Sequence, residues 1–235
     1  MNLPRRPLLL ALALGLSTAG FAHALSPPRP AQVPEEVSNV AWAGDMAAFA
    51  KADQASPPPR EGIEFVGSSS IRMWDSLAAD FPGKPVFNRG FGGSEVRDST
   101  WYADRIVVPY APCKVFLYAG DNDLNSGRTP AQVRDDVVAF VARVHRDLPL
   151  TTVEYISIKP SPSRAHLLPG IIEANTMIRS ALAALPRTGY TDIYTPMLGG
   201  DGQPDPSLFR EDMLHMTPAG YAIWKKALAP KVSCD

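Results

Sequence analysis

From Ile63 onward the chain alternates between two kinds of segment, and this alternation limits its fold more than any other feature. Short runs dominated by aliphatic and aromatic residues, at 63–66, 85–88, 114–119, 152–158 and 190–195, read as strands. Helix-like stretches separate them at 71–80, 94–108, 130–148 and 168–185. The third carries Val133, Val137, Phe140, Val141 and Val144 on one side, the stripe of an amphipathic helix. Thr217-Pro218, an N-cap followed by proline at the first helical position, opens a last helix. Such alternation implies a mostly parallel sheet with helices on both faces. Five strands suggest the flavodoxin-like order 2-1-3-4-5. The expected fold is therefore α/β, a three-layer α/β/α sandwich around a five-stranded parallel sheet. In that order the winding reverses between strands 1 and 3, and ligands bind above the carboxyl ends there. The loops after Val66 and Ala119 are where chemistry is expected.

The first segment reads as an address. Arg5 and Arg6, an apolar run from Leu8 to Leu16 and Ala22-His23-Ala24 follow one another as in a secretory signal. Residues 1–24 are expected to be cleaved and the protein exported, to the periplasm or beyond. Residues 25–60 form a proline-rich lead with a helix over 36–52, and 61–235 form the main domain. With 45% hydrophobic and 20% charged residues, the chain is far from the signature of disorder. A net charge of -1 without a basic run offers no footprint for nucleic acid. No stretch approaches the roughly 18 apolar residues of a stable membrane span. Two cysteines without a C-x-x-C exclude a zinc ribbon. Cleavage would remove His23, leaving His145, His166 and His215 as the imidazoles.

Four loops carry groups suited to chemistry. Strand 1 leads into Gly67-Ser68-Ser69-Ser70, where a serine either caps the next helix or serves as a nucleophile at its start. Strand 2 leads into Asn88-Arg89-Gly90-Phe91-Gly92-Gly93, either a tight turn or a backbone donor for an oxyanion. Strand 3 leads into Gly120-Asp121-Asn122-Asp123, a turn by composition, or a source of a side-chain amide donor at Asn122. The last loop holds Asp212-Met213-Leu214-His215. A carboxylate three residues before an imidazole can fold back onto Nδ1 and leave Nε2 free to take a proton. Each is weak alone. Together they meet on one rim and supply the parts for acyl transfer.

On these four blocks the sequence resembles the SGNH hydrolases, the GDSL-type esterases and lipases. It is most similar to the platelet-activating-factor acetylhydrolase and lysophospholipase/thioesterase types. The likeness runs from about Ile63 to Ala229, and departs from the family where the usual Gly-Asp-Ser reads Gly67-Ser68-Ser69. It implies Ser69 as nucleophile, His215 as general base and then acid, and Asp212 as its orienting group. The amides of Ser69 and Gly93 with the Asn122 side chain would form the oxyanion hole, and no cofactor or metal is implied. The expected function is hydrolysis of acyl esters, short-chain or O-acetyl, on a small-molecule, lipid or carbohydrate substrate. Alternatives are an O-acyltransferase using the same residues, or a non-catalytic ligand-binding relative prompted by Ser68. A metal phosphoesterase built on Asp121, Asp123, Asp212 and His215 is the least supported, because no metal-ligand spacing is present. Trp74, Tyr118, Lys159 and Arg164 are candidate pocket walls or contacts. An exported chain with two cysteines invites a Cys113–Cys234 bridge. Cys113 precedes strand 3 at the amino end of the sheet, and the final helix runs back toward that end.

Overall fold

Five parallel strands pair in the order β2-β1-β3-β4-β5, as the alternation implies. The computed structural model describes Met1 and residues 40–234. The expected secretory signal and proline-rich lead therefore fall almost wholly outside the described residues. The strands are β1 (Ile63–Gly67), β2 (Val86–Gly90), β3 (Lys114–Tyr118), β4 (Thr152–Ile156) and β5 (Thr188–Thr191). Every residue of β1 and β3 is buried, which is why these strands read as nearly unbroken apolar runs.

Side chains alternate between two faces of the sheet. Ile63, Phe65, Phe116, Tyr118 and Ile156 point to one face, where α2 (Ser69–Arg72), α3 (Leu77–Asp80) and α9 (Pro218–Leu228) bring Ile71, Leu77 and Trp224, with Trp74 from the turn between α2 and α3. Val66, Val115, Leu117, Val153 and Tyr155 point to the other. There they meet α1 (Ala43–Ala55), α4 (Val96–Trp101), α5 (Ala103–Ile106), α7 (Pro130–Asp147) and α8 (Leu168–Ala183). Helix α6 (Asp121–Asn125) is a single short turn after β3. Thr129 caps α7 reciprocally with Gln132, and Pro130 occupies its first position. The expected stripe from Val133 to Val144 is its buried face. On α1, Asp53 binds both Arg89 of β2 and the Tyr110 hydroxyl, tying this helix to the sheet.

Several boundaries differ from expectation, each for a local reason. The stretch 71–80 is two short helices, because Trp74 turns into the core and both its indole N–H and the Ser76 hydroxyl donate to Asp80. The stretch 94–108 breaks at Tyr102, which ends α4 and begins α5 with φ −86° and ψ 3°. Strand β5 ends at Thr191 rather than 195, since Asp192 Oδ1 accepts from the amides of Tyr194 and Thr195 and turns the chain. Strand β2 runs on through Arg89 to Gly90, pairing Gly90 with Gly67. Helix α1 begins at Ala43 after a 3₁₀ turn, Val40–Trp42, and extends to Ala55. Cys113 and Cys234 form a disulfide with Cα atoms 5.4 Å apart.

Candidate active site

Gly67 ends β1 with φ +139°, and a Cβ there would fall 1.8 Å from the Tyr118 carbonyl oxygen. Only glycine lets the chain leave the sheet this close to β3. The three serines that follow are not equivalent. Ser68 and Ser70 are each 1% exposed, and neither hydroxyl has a hydrogen-bond partner among the described residues. Ser69 is half-buried and faces a surface pocket of about 300 Å³.

His215 Nε2 lies 2.9 Å from Ser69 Oγ, and His215 Nδ1 lies 2.6 Å from Asp212 Oδ2. The other Asp212 oxygen accepts from the amides of Leu214 and His215, both at 2.9 Å. The D-x-x-H loop is thus a closed turn, with Met213 in the left-handed region at φ +53°. Partial burial acts to raise the Asp212 carboxyl, but the His215 side chain and these two amides outweigh it and pull it down to about 2. A charged carboxylate facing Nδ1 favours the tautomer protonated there. Nε2 is then the acceptor for the serine hydroxyl.

The loops after β2 and β3 line the same pocket as Ser69. Phe91 N–H donates to the Gly67 carbonyl at 2.9 Å, which seats the glycine loop beside the serine turn. Gly93 follows at φ +80°. The Ser69 and Gly93 amides have no backbone acceptor among the described residues. Asn122, on α6, donates from Nδ2 to the Ser94 carbonyl at 3.0 Å and accepts at Oδ1 from Arg164 at 2.8 Å. Asp123 Oδ1 accepts from the Val96 amide at 3.0 Å. These contacts join the loop after β2 to the loop after β3.

Ser69, Gly93, Asn122 and His215 therefore line one pocket, and Asp212 contacts the far nitrogen of His215. Arg72 and Leu214 line the same pocket. Arg72 sits one turn after Ser69 and Leu214 one residue before His215, so spacing could have pointed to both. Larger cavities, about 530 Å³ beside α1 and about 490 Å³ beside the disulfide, are lined by neither Ser69 nor His215. None of the four candidate wall or contact residues lines the Ser69 pocket. Trp74 and Tyr118 belong to the core at 1% and 0% exposure. Lys159 is 1% exposed and ion-paired to Asp121 at 2.7 Å. Arg164 reaches the site only through Asn122 and Asp121. His145 Nε2 is engaged with the Thr151 carbonyl at 3.0 Å, and His166 is exposed. The carboxylates of a metal reading are divided: Asp121 faces two cations and Asp123 a backbone amide. Among the described residues no group of three or more His, Cys, Asp or Glu could hold a metal ion. No helix among them is long and apolar enough to cross a membrane.

The fold and the site belong together in the class of acylhydrolases. Residues 61–223 match the GDSL-like Lipase/Acylhydrolase family, and the chain belongs to that family. Platelet-activating factor acetylhydrolase IB subunit alpha1 of Pongo abelii is 26% identical over 211 residues, 85% of this chain and 87% of the relative. A GDSL-like lipase of Bacteroides thetaiotaomicron shares the fold at a TM-score of 0.67 and 18% identity, over 80% of this chain and 97% of its own. A catalytic mutant of an acetylxylan esterase from Geobacillus stearothermophilus does so at 0.61 and 13%, over 74% and 95%.

Proposed function

We propose that this chain is an exported ester hydrolase that cleaves short-chain acyl or O-acetyl esters through an acyl-enzyme on Ser69. The observation that carries this reading is the hydrogen-bonded row from Ser69 Oγ through His215 to Asp212. In the first half-reaction Ser69 Oγ attacks the ester carbonyl carbon while its proton passes to His215 Nε2. The carbonyl electron pair moves onto oxygen. That oxyanion accepts hydrogen bonds from the Ser69 and Gly93 amides and from Asn122 Nδ2. Each donor of this kind contributes about 2.7–4 kcal/mol in other hydrolases. When the oxyanion collapses, the C–O bond to the alcohol breaks and His215 returns the proton to the departing oxygen. Water then attacks the acyl-serine, with His215 as base again, and the carboxylic acid leaves.

Short acyl groups fit a pocket of about 300 Å³ bounded by polar groups and Leu214. The names of two relatives, an acetylhydrolase and an acetylxylan esterase, also refer to acetyl groups. The substrate is then a small-molecule, lipid or carbohydrate ester. Export is supported by the N-terminal sequence pattern and by the disulfide, a bond favoured in oxidising compartments.

The test is a panel of p-nitrophenyl esters from acetyl upward, together with acetylated sugars, for the wild type and the Ser68→Ala, Ser69→Ala and Ser70→Ala variants. Turnover should be highest at acetyl, and Ser69→Ala should lower kcat by about 10⁴-fold or more. The flanking variants should retain most activity, and a phosphonate should label Ser69 alone. Full activity in Ser69→Ala would overturn the assignment. A preference for long acyl chains would overturn the substrate class.

A further inference from the structure

We propose that Arg164 is a positioning residue for the oxyanion site, holding the Asn122 carboxamide with its nitrogen end toward the pocket. The proposal rests on the reading that Asn122 donates to the oxyanion.

A carboxamide turned by 180° keeps its shape and reverses its chemistry. One orientation offers N–H to the pocket. The other offers a carbonyl oxygen, which repels an oxyanion. Two contacts choose between them. The Ser94 carbonyl can only accept, and it takes one Nδ2 hydrogen at 3.0 Å. The Arg164 guanidinium can only donate, and its Nη2 binds Asn122 Oδ1 at 2.8 Å. Turning the amide would set N–H against N–H at Arg164 and carbonyl against carbonyl at Ser94. The second Nδ2 hydrogen meets no protein acceptor among the described residues, on a side chain that lines the pocket with Ser69 and His215.

Arg164 is itself held in place. It is 9% exposed and lies on the 3₁₀ turn Pro162–Leu167, where it alone departs from helical geometry, at φ −117° and ψ 25°. Its Nη1 lies 3.0 Å from Asp121 Oδ2, which also receives Lys159 Nζ at 2.7 Å. Lys159 in turn donates to the Tyr118 hydroxyl at 3.1 Å. The guanidinium thus faces two consecutive side chains of the loop after β3: Nη1 is within ion-pair distance of Asp121 without making a hydrogen bond, and Nη2 donates to Asn122. Burial acts to raise the Asp121 carboxyl, but Lys159 and Arg164 bring it below its usual range. It stays charged and keeps the fork anchored.

A double-mutant cycle tests this on the full chain with p-nitrophenyl acetate, using Arg164→Met, Asn122→Ala and their combination. Asn122→Ala should lower kcat by about 10²–10³-fold. Arg164→Met should lower it by about 10–100-fold with KM within about twofold, as for a donor that is misplaced rather than removed. The double variant should be no slower than Asn122→Ala alone, because Arg164 acts through the amide. Arg164→Lys keeps a cation for Asp121 without the fork. It should retain the wild-type thermal midpoint with an intermediate kcat, and it replaces Arg164→Met in the cycle if that variant does not fold. Losses that multiply in the double variant would overturn the proposal, as would wild-type kcat in both Arg164 variants. Wild-type kcat in Asn122→Ala would overturn the oxyanion reading, and the proposal with it.

Discussion

Tyr221 donates its hydroxyl to the Ser70 carbonyl at 2.9 Å, tying the helix that follows His215 to the turn that bears Ser69. The two ends of the Ser69–His215 contact are 146 residues apart in sequence. Their spacing therefore depends on how α9 seats against α2. The Tyr221 ring stacks on Trp74 at 5.2 Å. Burial holds the phenol well above its usual range, so it stays a neutral donor. Tyr221→Phe keeps the ring and leaves the Ser70 carbonyl unpaired, with an expected loss of about 1–3 kcal/mol of stability. A fall of a few-fold in kcat should accompany it. Urea unfolding and steady-state kinetics on one preparation check both, and unchanged stability would show that the bond contributes nothing.

His215 is expected to be the one essential imidazole among His145, His166 and His215. His215→Ala should lower kcat on p-nitrophenyl acetate by about 10⁴-fold or more. His145→Ala and His166→Ala should stay within a few-fold of wild type. Asp212→Asn should cost less than His215→Ala, because the imidazole is still present. It should still cost activity, since an amide oxygen held by the Leu214 and His215 N–H groups turns its NH2 toward Nδ1 and favours the wrong tautomer. Asp212 is ionised above about pH 4, its carboxyl having been pulled down to about 2. An acid limb in the rate profile at higher pH then belongs to another group. A loss at His166 equal to that at His215 would reverse the assignment.

What could be read from the sequence follows from what repeats. Strand and helix periods placed Val66 and Ala119 at strand ends, and the order 2-1-3-4-5 made their loops neighbours. That Ser69, Gly93, Asn122 and His215 share a rim was legible for this reason. Arg164 could be named only as one candidate contact among several, because a 3₁₀ turn between β4 and α8 has no period from which its path to Asn122 could be derived. Asp45, which also lines the pocket, comes from α1, and its approach depends on the tertiary contacts of Asp53 with Arg89 and Tyr110. The break at Trp74 was hidden as well. An aromatic at helical spacing looks the same whether it lies along a helix face or turns the chain into the core.

Asp123 should make stability fall as pH rises. Its Oδ1 accepts from Val96, its Oδ2 has no hydrogen-bond partner among the described residues, and the side chain is fully buried. Burial first, and then the negative charges of Glu95 and Asp136, push its carboxyl up to about 8. An unfolded aspartate titrates at about pH 3.9. The folded form thus holds a proton that the unfolded form has lost, and the stabilising contribution present below about pH 4 is lost as pH rises toward 8. The slope can reach about 1.4 kcal/mol per pH unit. Asp123→Asn keeps an acceptor for Val96 and cannot ionise. Urea midpoints at pH 5, 7 and 9 should show the variant gaining on the wild type up to about pH 8. A difference that does not change with pH would remove Asp123 as the cause.

Removing the Cys113–Cys234 disulfide should lower stability and leave catalysis intact. Cys113 precedes β3 at the amino end of the sheet, whereas Ser69 follows β1 at the carboxyl end, about 17 Å of strand away. The bridge spans 121 residues, for which the chain-entropy model gives about 4–5 kcal/mol. The measured loss should be smaller, because other contacts hold the C-terminal tail. Lys231 Nζ binds Glu154 at 2.5 Å, and the Lys231 carbonyl accepts from Lys114 at 2.8 Å. The Cys113→Ser/Cys234→Ser variant should therefore fold, unfold at lower urea than the oxidised wild type, and keep kcat within about twofold. Adding dithiothreitol should bring the wild type down to the variant's midpoint and leave the variant unchanged. Two free thiols titrated in denatured wild-type protein purified without reductant would contradict the bridge. A large loss of kcat in a folded variant would show instead that strain at the amino end of the sheet reaches the Ser69–His215 contact.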